Sequence, residues 1–151
     1  IMATVGLSDF GEEWGQKNKW RQDSITRDTS LEVLLYDDSV DDISDPDDIG
    51  DINTEPTDGN YTRQIVTLDS ADVEISQPNG DARAEFTVTF DTSDTTGEID
   101  AWACTLEFES DVVGSDTGAT EHLITTATLD SGSQDLTNFT SLDVTGRIDL
   151  D

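Results

Sequence analysis

Residues 51–68 read DINTEPTDGNYTRQIVTL, and this stretch decides how the rest of the chain is interpreted. Its first half contains turn formers such as Pro56 and Gly59, whereas residues 61–68 are rich in β-forming residues and include Arg63. A turn that delivers the chain into a strand is typical of β proteins. We therefore expect a strand at residues 61–68 that anchors the fold.

The residues before this anchor predict a helix, a strand and an acidic loop. Ser8 or Asp9 can cap a helix over residues 7–20, whose first turn is acidic. Residues 31–36, LEVLLY, are apolar on both faces, which is typical of a central strand. The following acidic loop, residues 37–59, is dominated by carboxylates.

The residues after the anchor predict one short strand after another. These strands are expected at residues 72–76, 83–90, 99–108, 121–129 and 142–150. The turn sequence QPNG at residues 77–80 predicts a hairpin between the first two. Phe86, Val88 and Phe90 alternate with polar residues and are expected to face the core.

The strand at residues 121–129 is predicted to place Leu123, Ala127 and Leu129 on one face. Regularly spaced short strands of this kind favour a mainly β fold, an antiparallel β-sandwich or jelly-roll-like fold with a short N-terminal helix. We divide the chain into an N-terminal helical arm, residues 1–30, and a single β-sandwich domain, residues 31–151.

The charge is the most unusual property of the composition. The chain has 35 Asp and Glu residues against 7 Lys and Arg residues, a formal net charge of -28. Such a charge would favour disorder in dilute buffer, but the apolar alternation favours a folded chain. In about 1 M salt the Debye length falls to about 3 Å, so surface carboxylates repel one another little. We therefore interpret the chain as a folded halophilic protein. It lacks the basic patch that binding to nucleic acid requires.

Neither a membrane span nor a signal peptide is predicted. A bilayer span needs about 20 apolar residues, and no run in the chain approaches that length. The N-terminus also lacks the basic and then apolar profile of a secretory signal. We expect a chain that is not inserted into a membrane.

The residue types that usually carry chemistry are scarce. The only histidine, His122, has no evident partner and is expected to be an exposed or half-buried strand residue. The lone Cys104 is expected to be a small buried hydrophobe. No nucleophile elbow, phosphate-binding loop, dinucleotide fingerprint or zinc-ligand spacing occurs. We therefore expect a protein that is not an enzyme and has no catalytic, cofactor or metal residues.

The acidic loop contains a near match to a calcium-binding loop. Asp45, Asp47 and Gly50 fit its first, third and sixth positions, but Ile49 and Pro56 stand where ligands are needed. An EF-hand is therefore rejected.

Other roles for the acidic loop remain open. Its carboxylates between Asp37 and Asp51 leave opportunistic cation binding open, with a solvated loop as the alternative. Arg63 is predicted to pair with carboxylates of this same segment and tie the loop to its strand.

A cationic and aromatic cluster ends the predicted helix. It comprises Lys17, Lys19, Trp20 and Arg21, and the chain has no other lysines. The cluster is either a docking surface for an acidic neighbour or the end of a helix that covers an open sheet edge.

The order of several segments is similar to that of a known family. It comprises the strand at residues 31–36, the Glu-Pro turn leading to YTRQ at residues 55–64, the alternating strand ending in Asp91, and the Leu/Ile-Asp tail at residues 142–150. In this order the chain resembles small virion structural proteins of tailed viruses. With its acidic composition it resembles a member from a tailed virus of haloarchaea, although the long Asp-rich loop departs from the pattern.

The resemblance implies a noncatalytic β-rich component of the virion. The expected role is a capsid-associated decoration or turret component that contacts other virion proteins, such as the major capsid protein, and forms a homo-oligomer. One alternative is a component of the tail or baseplate. Another is a host-surface glycan-binding module that uses exposed Trp14, Trp20 or Trp102 for stacking.

Overall fold

The computed structural model describes residues 6–16, 27–77, 80, 82–108 and 121–150. The strands are β1 Gly6–Leu7, β2 Arg27–Tyr36, β3 Gln64–Thr67, β4 Glu74–Ser76, β5 Ala82–Asp91, β6 Glu98–Ile99, β7 Ala101–Phe108, β8 Glu121–Thr128, β9 Gln134–Asp135 and β10 Ser141–Leu150. The α-helices are α1 Asp9–Gln16 and α2 Asp38–Asp41, with single 3₁₀ turns at Ile49–Asp51 and Leu136–Asn138.

The strands form two main sheets and a small ribbon. The larger sheet has five strands in the order β1-β8-β7-β2-β3, and the smaller has three in the order β10-β5-β4. Strands β6 and β9 form the ribbon, and all these pairings are antiparallel. The predicted mainly β, antiparallel sandwich is therefore confirmed. The division into residues 1–30 and 31–151 stays a prediction.

The core lies between the two main sheets. Phe86, Val88 and Phe90 on β5 are buried, as their alternation with polar residues predicted. The Phe86 ring meets Trp102 of β7 edge to face, with ring centroids 5.6 Å apart. Because successive side chains of a strand point to opposite faces, the two-residue period of the sequence was enough to assign this face of β5 to the core.

The outer face of the larger sheet is also apolar. A second buried cluster on that face consists of Leu34, Tyr36, Ala101, Ala103 and Leu123. Isoleucines of the acidic loop pack against it, namely Ile43, Ile49 and Ile52. The acidic loop therefore covers this sheet, and β2 is buried on both faces as predicted.

The predicted anchor strand begins later than expected. Strand β3 starts at Gln64 and not at residue 61. A ladder that continued its register would place Thr62 opposite Leu35. The Leu35 N–H instead donates to the Tyr61 hydroxyl over 2.9 Å. The Tyr61 side chain thus replaces the next ladder bond and ends the strand.

The predicted face of β8 is also corrected. Ala127 lies in the core between the sheets, but Leu123 lies in the outer cluster. The register places Thr125 opposite Cys104 and Leu123 opposite Thr105, so Ile124 is an extra residue in β8. This bulge interrupts the alternation, because an inserted residue moves the following side chains to the other face.

The N-terminal helix is confirmed over part of its predicted length. Helix α1 begins at Asp9, and the Ser8 hydroxyl accepts a hydrogen bond from the Gly11 N–H over 3.0 Å, as an N-cap does. Residues 17–20 of the predicted helix lie outside the described residues. The helix packs beside β1 and β8 at one edge of the larger sheet.

Candidate functional site

The strongest candidate site is the junction at which the acidic loop meets the larger sheet. Within the loop, Asp41 accepts hydrogen bonds from the N–H groups of Asn53 and Thr54, each over 3.0 Å. Asp48 and Asp51 form a reciprocal capping box around the 3₁₀ turn. These carboxylates satisfy donors of the loop's own backbone, so they act as structural caps.

Asp48 also joins the loop to strand β8. One of its carboxylate oxygens accepts a hydrogen bond from the Leu123 N–H over 2.7 Å. The other lies 2.9 Å from Nδ1 of His122. The His122 side chain is 0% exposed. The expectation of an exposed or half-buried histidine was therefore wrong, because the acidic loop folds over the β8 edge and supplies a polar partner.

The same edge of β8 is covered at further positions. The Ser8 N–H donates to the Ile124 carbonyl over 2.9 Å, just beyond the short pairing of β1 with β8. The Asp9 N–H donates to the Asp45 carbonyl over 2.8 Å, which joins α1 to the acidic loop. This edge is thus closed by polar groups of residues distant in sequence, as edge strands require.

Arg63 is the second link between the acidic loop and the sheet. Its guanidinium binds Glu55 through two hydrogen bonds of 2.8 Å. It also lies 2.7 Å from Glu121 of β8 and 3.2 Å from Glu32 of β2. The hydrogen bonds that Arg63 donates to Glu55, above all, raise the pKa of Arg63. Arg63 and these three glutamates are called the arginine clasp below.

The clasp corrects the predicted partners of Arg63. None of the three glutamates lies between Asp37 and Asp51, the segment proposed from sequence. That segment is held elsewhere, because Ile43 and Ile49 pack on the outer apolar cluster. Arg63 does tie the acidic loop to the sheet, but through Glu55 at the end of the loop.

Tyr61 extends the clasp into the core. Its hydroxyl lies 3.2 Å from Glu55, to which it donates, while it accepts the Leu35 N–H. Its ring stacks on Phe90 of the opposite sheet at a centroid distance of 5.7 Å. Burial raises the pKa of Tyr61, so the hydroxyl stays protonated and remains a donor. The anchor segment therefore connects the acidic loop, the larger sheet and the smaller sheet.

The three tryptophans proposed as a stacking platform have different positions. Trp102 is buried in the core and cannot present its ring to a ligand. Trp14 is half-buried, edge-on to Phe108, with the Arg27 guanidinium 5.9 Å from its ring centroid. Trp20 lies outside the described residues, as does the rest of its cationic cluster.

Cys104 is buried in the core, as predicted for a small hydrophobe. Burial raises the pKa of its thiol to about 12. Since a thiolate is the reactive form, this thiol is chemically inert in the folded protein. Among the described residues, no group of three His, Cys, Asp or Glu side chains is arranged to hold a metal ion. Cation binding by the acidic loop stays a prediction.

No protein-family model, curated protein or solved structure matches this chain. Among the helices that the structure describes, none has the length and apolar character needed to cross a membrane.

The sequence did not identify the clasp glutamates or Asp48 as important residues. Glu32, Glu55 and Glu121 look like any other members of a set of 35 acidic residues. The usable signal was the small number of Lys and Arg residues, since in such an acidic chain each arginine can attract several carboxylates.

Proposed function

We propose that this protein is a noncatalytic virion structural protein, a capsid-associated decoration or turret component of a halophilic tailed virus. The observation that carries the proposal is that Arg63 and His122, which belong to residue types that are scarce in this chain, both serve to hold the fold together. Arg63 is engaged by three glutamates, and His122 is buried against Asp48. Both residues hold the acidic loop on the sandwich, which supports a role in building a particle.

The covered larger sheet also supports a structural role. The acidic loop packs on one face of this sheet and the smaller sheet on the other. The result is a sandwich that presents acidic side chains to solvent. In molar salt such a surface stays hydrated while its charges are screened, which suits a protein on the outside of a halophilic particle.

The proposed location is the virion, with the major capsid protein as neighbour and further copies of this chain as partners. The resemblance of residues 31–36, 55–64 and 142–150 to virion proteins supports this location. A tail or baseplate role is the alternative within the same class, and the two differ in how many copies a particle holds. A host-surface glycan-binding module would need an exposed aromatic platform, which Trp102 cannot supply.

The experiment is to count this protein in purified particles of the virus that encodes it. Quantitative mass spectrometry against isotope-labelled peptides supplies the number, and immunogold labelling supplies the location. We expect hundreds of copies on the head, or a multiple tied to the five-fold vertices. A few to tens of copies on the tail would support the alternative. Absence from particles that contain their major capsid protein would overturn the virion proposal.

A further inference from the structure

The edge strand β10 carries an inference about how two copies of this chain associate. β10 pairs with β5 over all ten residues, Ser141–Leu150, in one uninterrupted register. In the part of the chain that the structure describes, no strand pairs with its other edge. Alternate backbone N–H and C=O groups of an edge strand point away from its one neighbour, so they form a template for another strand.

β10 lacks several of the usual devices that prevent edge pairing. It is long, contains no proline or lysine, and shows no bulge against β5. Two of its three charged residues, Asp143 and Arg147, have exposed side chains, on the face that alternates with buried Val144. Because side chains in a strand point above and below the sheet, these two leave the unpaired N–H and C=O groups along the β10 edge accessible.

The charge pattern of β10 matches itself when a second copy is placed antiparallel. With a two-fold axis at Thr145, Arg147 of each copy lies opposite Asp143 of the other. The same register places Leu142 opposite Ile148 of the second copy on the inner face, which covers two half-buried apolar side chains.

The neighbouring registers lose this charge match. Moving the axis to Val144 or Gly146 leaves Arg147 opposite an uncharged residue. Moving it to Arg147 places the two guanidinium groups opposite each other, which is destabilising. Moving it to Ile148 places Arg147 opposite Asp149 but pairs only five residues of each β10, whereas the Thr145 register pairs nine. The Thr145 register is thus the longest one that pairs the only cation of β10 with a carboxylate.

The pairing of β10 with β5 already uses the same chemistry. On the outer face the Thr145 hydroxyl lies 3.1 Å from the Thr87 hydroxyl. Arg147 donates from Nε to Glu85 over 2.7 Å, and its side chain is 49% exposed. Its terminal nitrogens have no partner among the described residues, so they are available to a second carboxylate.

We propose that two copies associate through antiparallel pairing of β10, joining their three-stranded sheets into one continuous sheet across a two-fold axis. The partner is a second copy of this chain, and the pairing does not depend on where the protein functions. Because each copy carries a charge of -28, association requires molar salt.

The register is tested by disulfide cross-linking. At the axis, the two Thr145 residues are directly opposite, close enough for a Thr145→Cys variant to form a disulfide between copies. Thr87→Cys is the matched control, since Thr87 lies beside Thr145 on the same face but on β5. We expect a cross-linked dimer in about 3 M salt from Thr145→Cys alone. Equal cross-linking of both variants, or of neither, would overturn the register.

The charge match is tested with complementary variants, by light scattering on a sizing column. Asp143→Arg and Arg147→Asp each place like charges opposite one another, so each alone should weaken self-association about tenfold. Mixed together, the two variants present opposite charges wherever residue 143 of one copy meets residue 147 of the other, and they should form a heterodimer. The measurements are made at the lowest salt concentration at which circular dichroism shows that each variant is folded.

Asp130→Arg is the control, because it makes the same charge change as Asp143→Arg in an exposed turn outside β10. It should leave the dimer intact. A monomeric native protein at all concentrations, or a dimer that both β10 variants leave unchanged, would overturn the proposal. Loss of the dimer with particle copy number retained would reject this interface alone.

Discussion

At the scale of single residues, the stability of this acidic protein depends on a few hydrogen-bonded ion pairs between arginine and glutamate. Arg63 is 27% exposed and holds three carboxylates that would otherwise repel one another. Arg147 forms one pair with Glu85 on the exposed face of the smaller sheet. The two arginines make the same kind of bond in different surroundings, so their contributions to stability should differ.

Replacement of Arg63 by glutamine is predicted to lower the free energy of unfolding by about 2 kcal/mol. The loss arises because Glu32, Glu55 and Glu121 remain close together without a cation. Arg147→Gln makes the same charge change at an exposed pair and should cost less than about 1 kcal/mol. Urea unfolding in molar salt, at low protein concentration, measures both. Equal losses would show that the clasp adds nothing beyond an ordinary surface pair.

At the scale of elements, the pairing of β5 with β10 depends on one missing side chain. Gly146 lies opposite Phe86, and a Cβ added at Gly146 would overlap the Phe86 ring. Its backbone does not adopt the left-handed conformation, so the glycine is needed for space alone. The ring fills the place of the absent side chain and reaches Trp102 on the other sheet.

Phe86 and Gly146 are therefore predicted to be coupled. Gly146→Ala should cost about 1 to 3 kcal/mol through overpacking, and Phe86→Ala about 3 to 5 kcal/mol through the cavity it leaves. In the Phe86→Ala background the Gly146→Ala change should cost almost nothing, because the obstructing ring is gone. A double-mutant cycle by urea unfolding measures the coupling.

The control for this cycle is Thr145→Ala, on the exposed face of the same strand, which should change stability by less than about 0.5 kcal/mol. Strict additivity of the Phe86 and Gly146 substitutions would show that the two residues do not share one packing site.

At the scale of the whole molecule, the net charge of -28 is balanced against a core of ordinary apolar residues. Screening of the surface charges by salt decides that balance. The Debye length grows from about 3 Å at 1 M salt to about 10 Å at 0.1 M, so repulsion between carboxylates increases as salt is removed. The carboxylates that cap the acidic loop are tied to the fold, whereas the remaining surface carboxylates repel one another as salt is removed.

We predict that cooperative unfolding weakens and the melting temperature falls as salt decreases from about 3 M to about 0.1 M. Cys104 is a built-in reporter, because burial raises the pKa of its thiol to about 12 and hides it from reagents. Labelling at pH 8 should be slow in high salt and fast in low salt. Urea in high salt provides the fully labelled reference. An unchanged melting temperature and constant protection would contradict a halophilic fold.

The sequence by itself determined the features that depend on neighbouring residues. Alternation in β5 placed Phe86, Val88 and Phe90 in the core, since successive strand residues point to opposite faces. The apolar run LEVLLY likewise indicated a strand buried on both faces. Residue type limited the helix cap to Ser8 or Asp9, and the structure uses Ser8. These patterns sufficed for the antiparallel β-sandwich.

Only the tertiary structure decided which distant residues meet. Arg63 binds glutamates that are 8, 31 and 58 residues away in sequence, and Asp48 meets His122 across 74 residues. The bulge at Ile124 and the early end of β3 at Tyr61 likewise depend on contacts with other segments. Because the chain has 35 acidic residues, its composition cannot show which of them pairs with Arg63 or His122. The packing of the acidic loop on the sheet makes that choice, because it brings a few carboxylates within bonding distance of each scarce donor.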